Sequence, residues 1–360
     1  MLNQLYLTQI PMITLNRFFA FASIGLLLVS CSATHQLTMS AVDPAPVHIA
    51  SDVQHIGIIN RSLPAEGNSG IDTIDKILSA EGKNLDKDGA EAAIASVKSE
   101  LQRLQRFDKV AVIKDIPEIK KGLGVLPASL SWDQVDKICK ENDVDVLFSL
   151  AFYDTDTKAS VKATEMDLPN PVGIKAKVPA VAITLRTQIQ NGWRIYDPAT
   201  KIILDEYSFN NNLVSSGSGI NPMKAVKTIM NRKEKVVETS SHIGDYYAKR
   251  ITPRSRRVKR DYFVKGTNNF EIAMRRAQTG KWNSAAELWE KEVSNPDGKI
   301  AGRACYNMAI INEINGDLNK ALDWAQRSYS DYNIKEALSY VRILKYRMSQ
   351  KRKLDKQLGK

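Results

Sequence analysis

A chain of 360 residues, 43% hydrophobic and 25% charged, has the composition of a folded globular protein, and its length favours two domains. A long polar body with a single short apolar segment near its start reads as an exported protein, and no other stretch approaches the roughly 20 apolar residues of a membrane-spanning helix. The formal net charge of +11 points to anionic contacts.

Arg17 opens the apolar segment, Phe18 to Leu28 continue it, and Leu28-Val29-Ser30-Cys31 end it. A positive start, an apolar run and small residues before a cysteine resemble a bacterial lipobox. The resemblance implies a signal peptide over 1–30 and a lipid on the thiol of Cys31, whose anchoring would be firmer than that of one acyl chain. Residues 31–50 hold Pro44, Pro46 and small polar residues, and read as a flexible tether. The expected location is the cell envelope, at the outer membrane and facing the periplasm.

Residues 51–213 read as an α/β domain. His55–Asn60 (HIGIIN) predicts a buried strand. Between Gly89 and Arg106, apolar residues from Ala90 to Leu104 recur at helical spacing. DKVAVIK (108–114) predicts a strand, Ser131 an N-cap for a helix carrying Trp132, Val135, Ile138 and Cys139, and VDVLFSLAF (144–152) a second buried strand. This β-α-β-α-β order argues for neighbouring parallel strands. VAITLRTQIQ (181–190) then alternates, and GWRIYDPATKIILDEYSF (192–209) predicts two strands around a turn at Asp197–Thr200. The expected fold class is α+β: a sandwich with a mixed sheet, then an all-α domain. VSSGSGINP (214–222) reads as a loop, and its glycines lack the residues that complete a phosphate-binding fingerprint.

Residues 223–350 read as helical. GKWNSAAELWEKEV (280–293) aligns with GDLNKALDWAQRSY (316–329), pairing Gly280 with Gly316, Trp282 with Leu318, Ala285 with Ala321 and Trp289 with Ala325. The offset, 316 − 280 = 36 residues, is close to the 34 of a tetratricopeptide repeat. Glycine would end the first helix of each pair, alanine would let the helices approach, and the large residues would fill the groove. Two such repeats are expected, closed by a helix at 334–348, with the helices of 223–276 capping the array. Glu292 departs from the alanine usual late in the unit.

KRITPRSRRVKR (249–260) holds seven cations, Lys249, Arg250, Arg254, Arg256, Arg257, Lys259 and Arg260, and no acid. They read either as solvated faces or as a patch for an anionic partner such as lipid headgroups. Tyr246, Tyr247, Tyr262 and Phe263 flank the run and read as core, or as a groove for an extended peptide or glycan. Residues 351–360 read as a basic tail. Cys139 and Cys305 fall in different expected domains and read as buried free thiols, a disulfide being the alternative.

No cluster of histidines and cysteines has metal-ligand spacing, no nucleophile motif occurs, and no aromatic-rich nucleic-acid motif accompanies the basic run. No catalytic residue, metal, cofactor or nucleic acid is therefore expected. Asp154 and Asp156, in DTDTK, would stand at the C-terminal end of a buried strand, where α/β folds place ligands; a solvated turn is the plainer reading.

The strand, the helix ending LQRFDKVAVI, the helix leading into ENDVDVLFSL and GWRIYDPATKIILDE follow one another in an order similar to envelope domains such as the TolB N-terminal domain, LpoB and the curli-secretion lipoprotein. With YYAKRITPRSRRVKRDYFVKG and the repeats, the whole mature chain resembles an uncharacterised lipoprotein family of Bacteroidetes. The resemblance carries no catalytic residue. Together these readings imply a non-enzymatic, lipid-anchored interaction scaffold with protein partners; the alternative is an envelope ligand-binding protein or enzyme using a cleft near Asp154 and Asp156.

Overall fold

A computed structural model describes residues 33–62, 73–114, 116, 125–169, 173, 175–229 and 232–359, without the side chains of 73–84. Cys31 and the signal segment lie outside the described residues. Internal contacts divide the chain into a unit of residues 44–254 with 357–360, and a unit of residues 1–43 with 255–356.

The first unit is built on a five-stranded mixed sheet. Its elements are β2 (His55–Asn60), α1 (Thr73–Arg103), β3 (Lys109–Ile113), α2 (Trp132–Asn142), β4 (Val146–Pro169), β5 (Lys175–Asp197), β6 (Ile202–Gly219), α3 (Pro222–Lys227) and α4 (Arg232–Ala248). The strand order is β3-β2-β4-β5-β6. β2 runs parallel to β3 and β4, and β4, β5 and β6 are successively antiparallel. The α+β class with a mixed sheet is thus what this sequence forms.

Both faces of β2 are covered, which is why it reads as a continuous apolar run. Ile56 and Ile58 join Phe148, Trp193 and the α1 stripe from Ala90 to Leu101 in one cluster. Ile59 joins Leu147, Tyr196 and the α2 residues Val135, Ile138 and Cys139 in another. Ser131 caps α2 with a full capping box, accepting from the Gln134 amide while the Gln134 side chain accepts from the Ser131 amide.

Three expectations change here. The strands expected at 181–190 and from 192 are one strand of 23 residues, and β4 runs 24 residues, because cross-strand pairing continues well past the covered core. The expected loop at 214–222 is strand to Gly219, since Val181 to Arg186 supply its partners. The helices of 223–250 do not cap the repeats: they belong to the sheet unit, where α4 places Val236, Ile243 and Tyr247 in the α1 cluster. Gly244 permits that placement, because a Cβ there would stand 2.2 Å from the Ala93 carbonyl oxygen.

The second unit comprises β1 (Thr34–Asp43), β7 (Arg254–Phe263), α5 (Asn268–Gln278), α6 (Trp282–Glu292), α7 (Gly298–Ile314), α8 (Leu318–Ser330) and α9 (Lys335–Gln357). β1 and β7 form a two-stranded sheet. The Val264 amide donates to the Ala33 carbonyl, and at the other end Arg256 meets Asp43, so the strands run antiparallel. The tether expected over 31–50 is corrected for these residues. Leu37 and Ala41 are buried between exposed neighbours, Gln36, Thr38, Ser40 and Val42, the period of a half-buried strand.

The helices follow the plan read from the repeat. Gly280 and Gly316 have φ of +79° and +83°, the left-handed turn that closes the first helix of each hairpin. Ala285, Ala321, Ala325 and Trp289 are fully buried, Leu318 is buried and Trp282 half-buried. Glu292 is buried because Thr267, Asn269 and Asn295 donate to its carboxylate, which explains an acid in a place made for alanine. The closing helix is longer than expected: α9 absorbs most of the basic tail.

Candidate interaction surface

The basic run is divided between the two units. Lys249, Arg250 and Arg254 belong to the sheet unit, while Arg256, Arg257, Lys259 and Arg260 belong to the helical unit. Four of the seven have carboxylate partners. Arg250 donates two hydrogen bonds of 2.9 Å to Asp205 and stacks 3.9 Å over the Tyr207 ring. Lys249 pairs with Asp245 and Arg256 with Asp43. Arg254, Arg257 and Lys259 are exposed, with no carboxylate partner among the described residues. β7 alternates, so Val258 and Tyr262 face the core and neighbouring cations face out.

Arg260 is the most altered of the seven. It donates two hydrogen bonds of 2.8 Å to Glu313 of α7, whose side chain is fully buried. Arg347 and the Tyr340 hydroxyl of α9 also donate to Glu313. Burial alone would raise the Glu313 pKa; the hydrogen bonds from Arg260, Arg347 and Tyr340 outweigh it and hold the carboxyl below its ordinary value. One carboxylate thus ties the ribbon to two helices, and Arg260 is unavailable to a partner. Asn307 adds a neutral tie: its buried amide accepts from the Phe263 N–H at 2.8 Å and donates to the Phe263 carbonyl at 2.7 Å.

The aromatics flanking the run are core, as the plainer reading expected, except Tyr246. Tyr247 stacks on Trp193 in the sheet unit, and Tyr262 and Phe263 enter the helical core. Tyr246 is 42% exposed.

The outward side of α9 presents a different surface. Ile343 and Tyr346 are exposed, three positions apart on one helix face. Arg342 and Lys345 are exposed beside them, with no carboxylate partner among the described residues. The inward side, Val341 and Leu344, is buried, so the two apolar groups outside are additional to the core.

Asp154 and Asp156 stand mid-strand, opposite Gln190 and Gln188, rather than at a strand end or in a turn. Asp154 has a raised pKa, from burial first and then from Asp86 and Asp156. Asp86 is committed to Thr155, accepting from its amide at 2.8 Å and its hydroxyl at 2.6 Å. Among the described residues no group of three or more His, Cys, Asp or Glu could hold a metal ion, and no helix is long and apolar enough to cross a membrane. Cys139 and Cys305 are buried and free, and burial pushes their thiols up to about 12 and about 11.

No curated protein matches the chain. Among solved structures, a PelC dodecamer from Paraburkholderia phytofirmans is 9% identical, with 61% of this chain and 99% of that chain covered at a TM-score of 0.24. A neuraminyllactose-binding hemagglutinin homolog from Helicobacter pylori is 11% identical, with 57% and 93% covered at a TM-score of 0.26. Neither score reaches the level of a shared fold. A model described as a domain of unknown function (DUF6340) matches residues 271–349, within the helical unit. A model described as a domain of unknown function (DUF8603) matches residues 53–263, more than half of the sequence and inclusive of α3 and α4. The chain therefore belongs to the DUF8603 family.

Proposed function

We propose that this protein is a non-enzymatic scaffold of the cell envelope, lipid-anchored at Cys31 at the outer membrane, that docks a protein partner on its helical unit. The observation that carries the reading is the outer face of α9, where Ile343 and Tyr346 stand exposed beside Arg342 and Lys345, which have no carboxylate partner among the described residues. Apolar groups flanked by cations fit an acidic amphipathic segment of a partner, with the charges steering encounter and the apolar pair contributing residence. The two helical hairpins, which resemble tetratricopeptide repeats, support the same reading. A lipid anchor would raise the effective concentration of the scaffold toward membrane-bound partners.

A photocrosslinker at Tyr346 is the test. Capture in intact cells of one partner, lost when Arg342 and Lys345 are changed to Glu, is expected. Crosslinks no more specific than those from the exposed control position Lys320 would remove the proposal. Cys31→Ser is expected to release the protein from the membrane fraction; retention there would remove the anchor.

A further inference from the structure

An open groove of about 520 Å³ lies in the helical unit between β1, the end of β7 and the first helical hairpin. Its volume falls in the range of small-molecule sites, roughly 300–1,000 Å³. Its walls are aromatic. Tyr262 stands edge-on to His35 at 6.1 Å and to Trp282 at 5.5 Å between ring centroids. Buried Leu37 and Ala277 form the apolar floor. The rim carries the amides of Gln36 and Gln278 and the hydroxyls of Thr34 and Thr38. The Gln278 Nε2 lies 3.4 Å from His35 Nδ1, which orients both. Among the described residues no carboxylate, lysine or arginine lines the groove.

The half-buried rings of His35 and Trp282, with Tyr262 buried behind them, and an apolar floor suit the C–H face of a saturated ring, because an electron-rich ring face attracts positively polarised edges. Amides and hydroxyls both donate and accept, which suits a rim of hydroxyls. That combination describes a pyranose. A second groove, of about 460 Å³, is lined by residues of α5, the α5–α6 turn and α6, with Arg275, Arg276 and Lys281 among them. Arg276 is engaged, donating to the Ser284 carbonyl and lying 4.0 Å from Glu287, which also lines this groove. Arg275 and Lys281 are exposed, with no carboxylate partner among the described residues. We infer that the aromatic groove binds a pyranose ring of an acidic glycan, whose charged substituent reaches Arg275 and Lys281. This site is separate from the α9 face and rests on no part of the docking role.

The test titrates the full-length protein with an oligogalacturonate and with a neutral galacto-oligosaccharide of equal length, read by calorimetry and tryptophan fluorescence. The acidic sugar is expected to bind more tightly, and to weaken as salt rises. Trp282→Ala is expected to weaken binding at least tenfold. Trp282 also packs on Tyr262, so Gln278→Ala, at an exposed position, gives a second reading, with an expected loss of several-fold. Changing Arg275 and Lys281 to Glu is expected to erase the preference for the acidic sugar while neutral binding persists. Three outcomes overturn the inference: no binding of either sugar at millimolar concentration, binding that Trp282→Ala and Gln278→Ala both leave unchanged, or binding of an acidic peptide where neither sugar binds.

Discussion

Glycine serves two different ends in this molecule, one seen at Gly244 of the sheet unit and the other at Gly280 and Gly316 of the helical unit. In the sheet unit, a glycine inside a helix lets two helices touch: Gly244 meets the Ala93 backbone, a residue distant in sequence. In the helical unit, Gly280 and Gly316 sit between helices instead, where they turn the chain and a Cβ would meet nothing within 4 Å. One glycine is required by its neighbours, the other two by their own dihedrals. The difference separates tertiary from local determinants of fold, and each can be broken independently.

The largest expected effect is in the helical unit. Glu313→Ala leaves Arg260 and Arg347 without their carboxylate and should cost about 3–5 kcal/mol, read by denaturant unfolding through Trp282, Trp289 and Trp324. The same group gives a pH signature. Its folded pKa lies below the ordinary 4.5, so its contribution is complete above that value and is lost as pH falls through the folded pKa. Acid titration should show this loss in the native protein and its absence in Glu313→Gln.

Gly244→Ala comes next, with an expected loss of about 1–3 kcal/mol from overpacking α1 against α4. Unfolding followed through Trp193 reports it. Gly280→Ala and Gly316→Ala should each cost about 1–2 kcal/mol, from backbone strain alone. Asparagine at either position should recover part of that loss, since it tolerates the left-handed region; at 244 it should recover nothing. An asparagine as damaging as alanine at 280 would contradict the local assignment. Ser131→Ala, which removes the α2 capping box, should cost about 1 kcal/mol, seen as a lowered midpoint with an unchanged denaturant slope.

The same division governs what could be read from sequence. The hairpins of 268–330 were legible because glycine, alanine and large apolar residues recur at a fixed offset and pack against sequence neighbours. The capping box at Ser131 was equally local. The lengths of β4 and β5 were not legible, since the outer residues of β4 are mostly exposed and held by pairing, while those of β5 are covered on one face by α3, whose place on the sheet is a tertiary matter. The ownership of α4 was hidden for a related reason: its apolar stripe fits any partner, and only Gly244 marks the crossing with α1. The basic run misled because composition counts charges and ignores partners; Asp205 and Glu313, 45 and 53 positions from Arg250 and Arg260, neutralise two of its members. Asn307 carried no signal, being one of several polar residues along α7. The groove at Trp282 was half visible: Tyr262 belonged to a cluster read as core or glycan groove, while β1, its other wall, lay in the expected tether.

The pairing of β1 with β7 also fixes a length. Strand structure begins at Thr34, three residues after Cys31, and three residues of extended chain span at most about 11 Å. A lipid on Cys31 would therefore hold this ribbon on a short stem instead of a twenty-residue leash. Thr34 and His35 line the aromatic groove, so the mouth of that groove would stand at headgroup height, and any glycan it takes would have to be presented at the membrane surface itself.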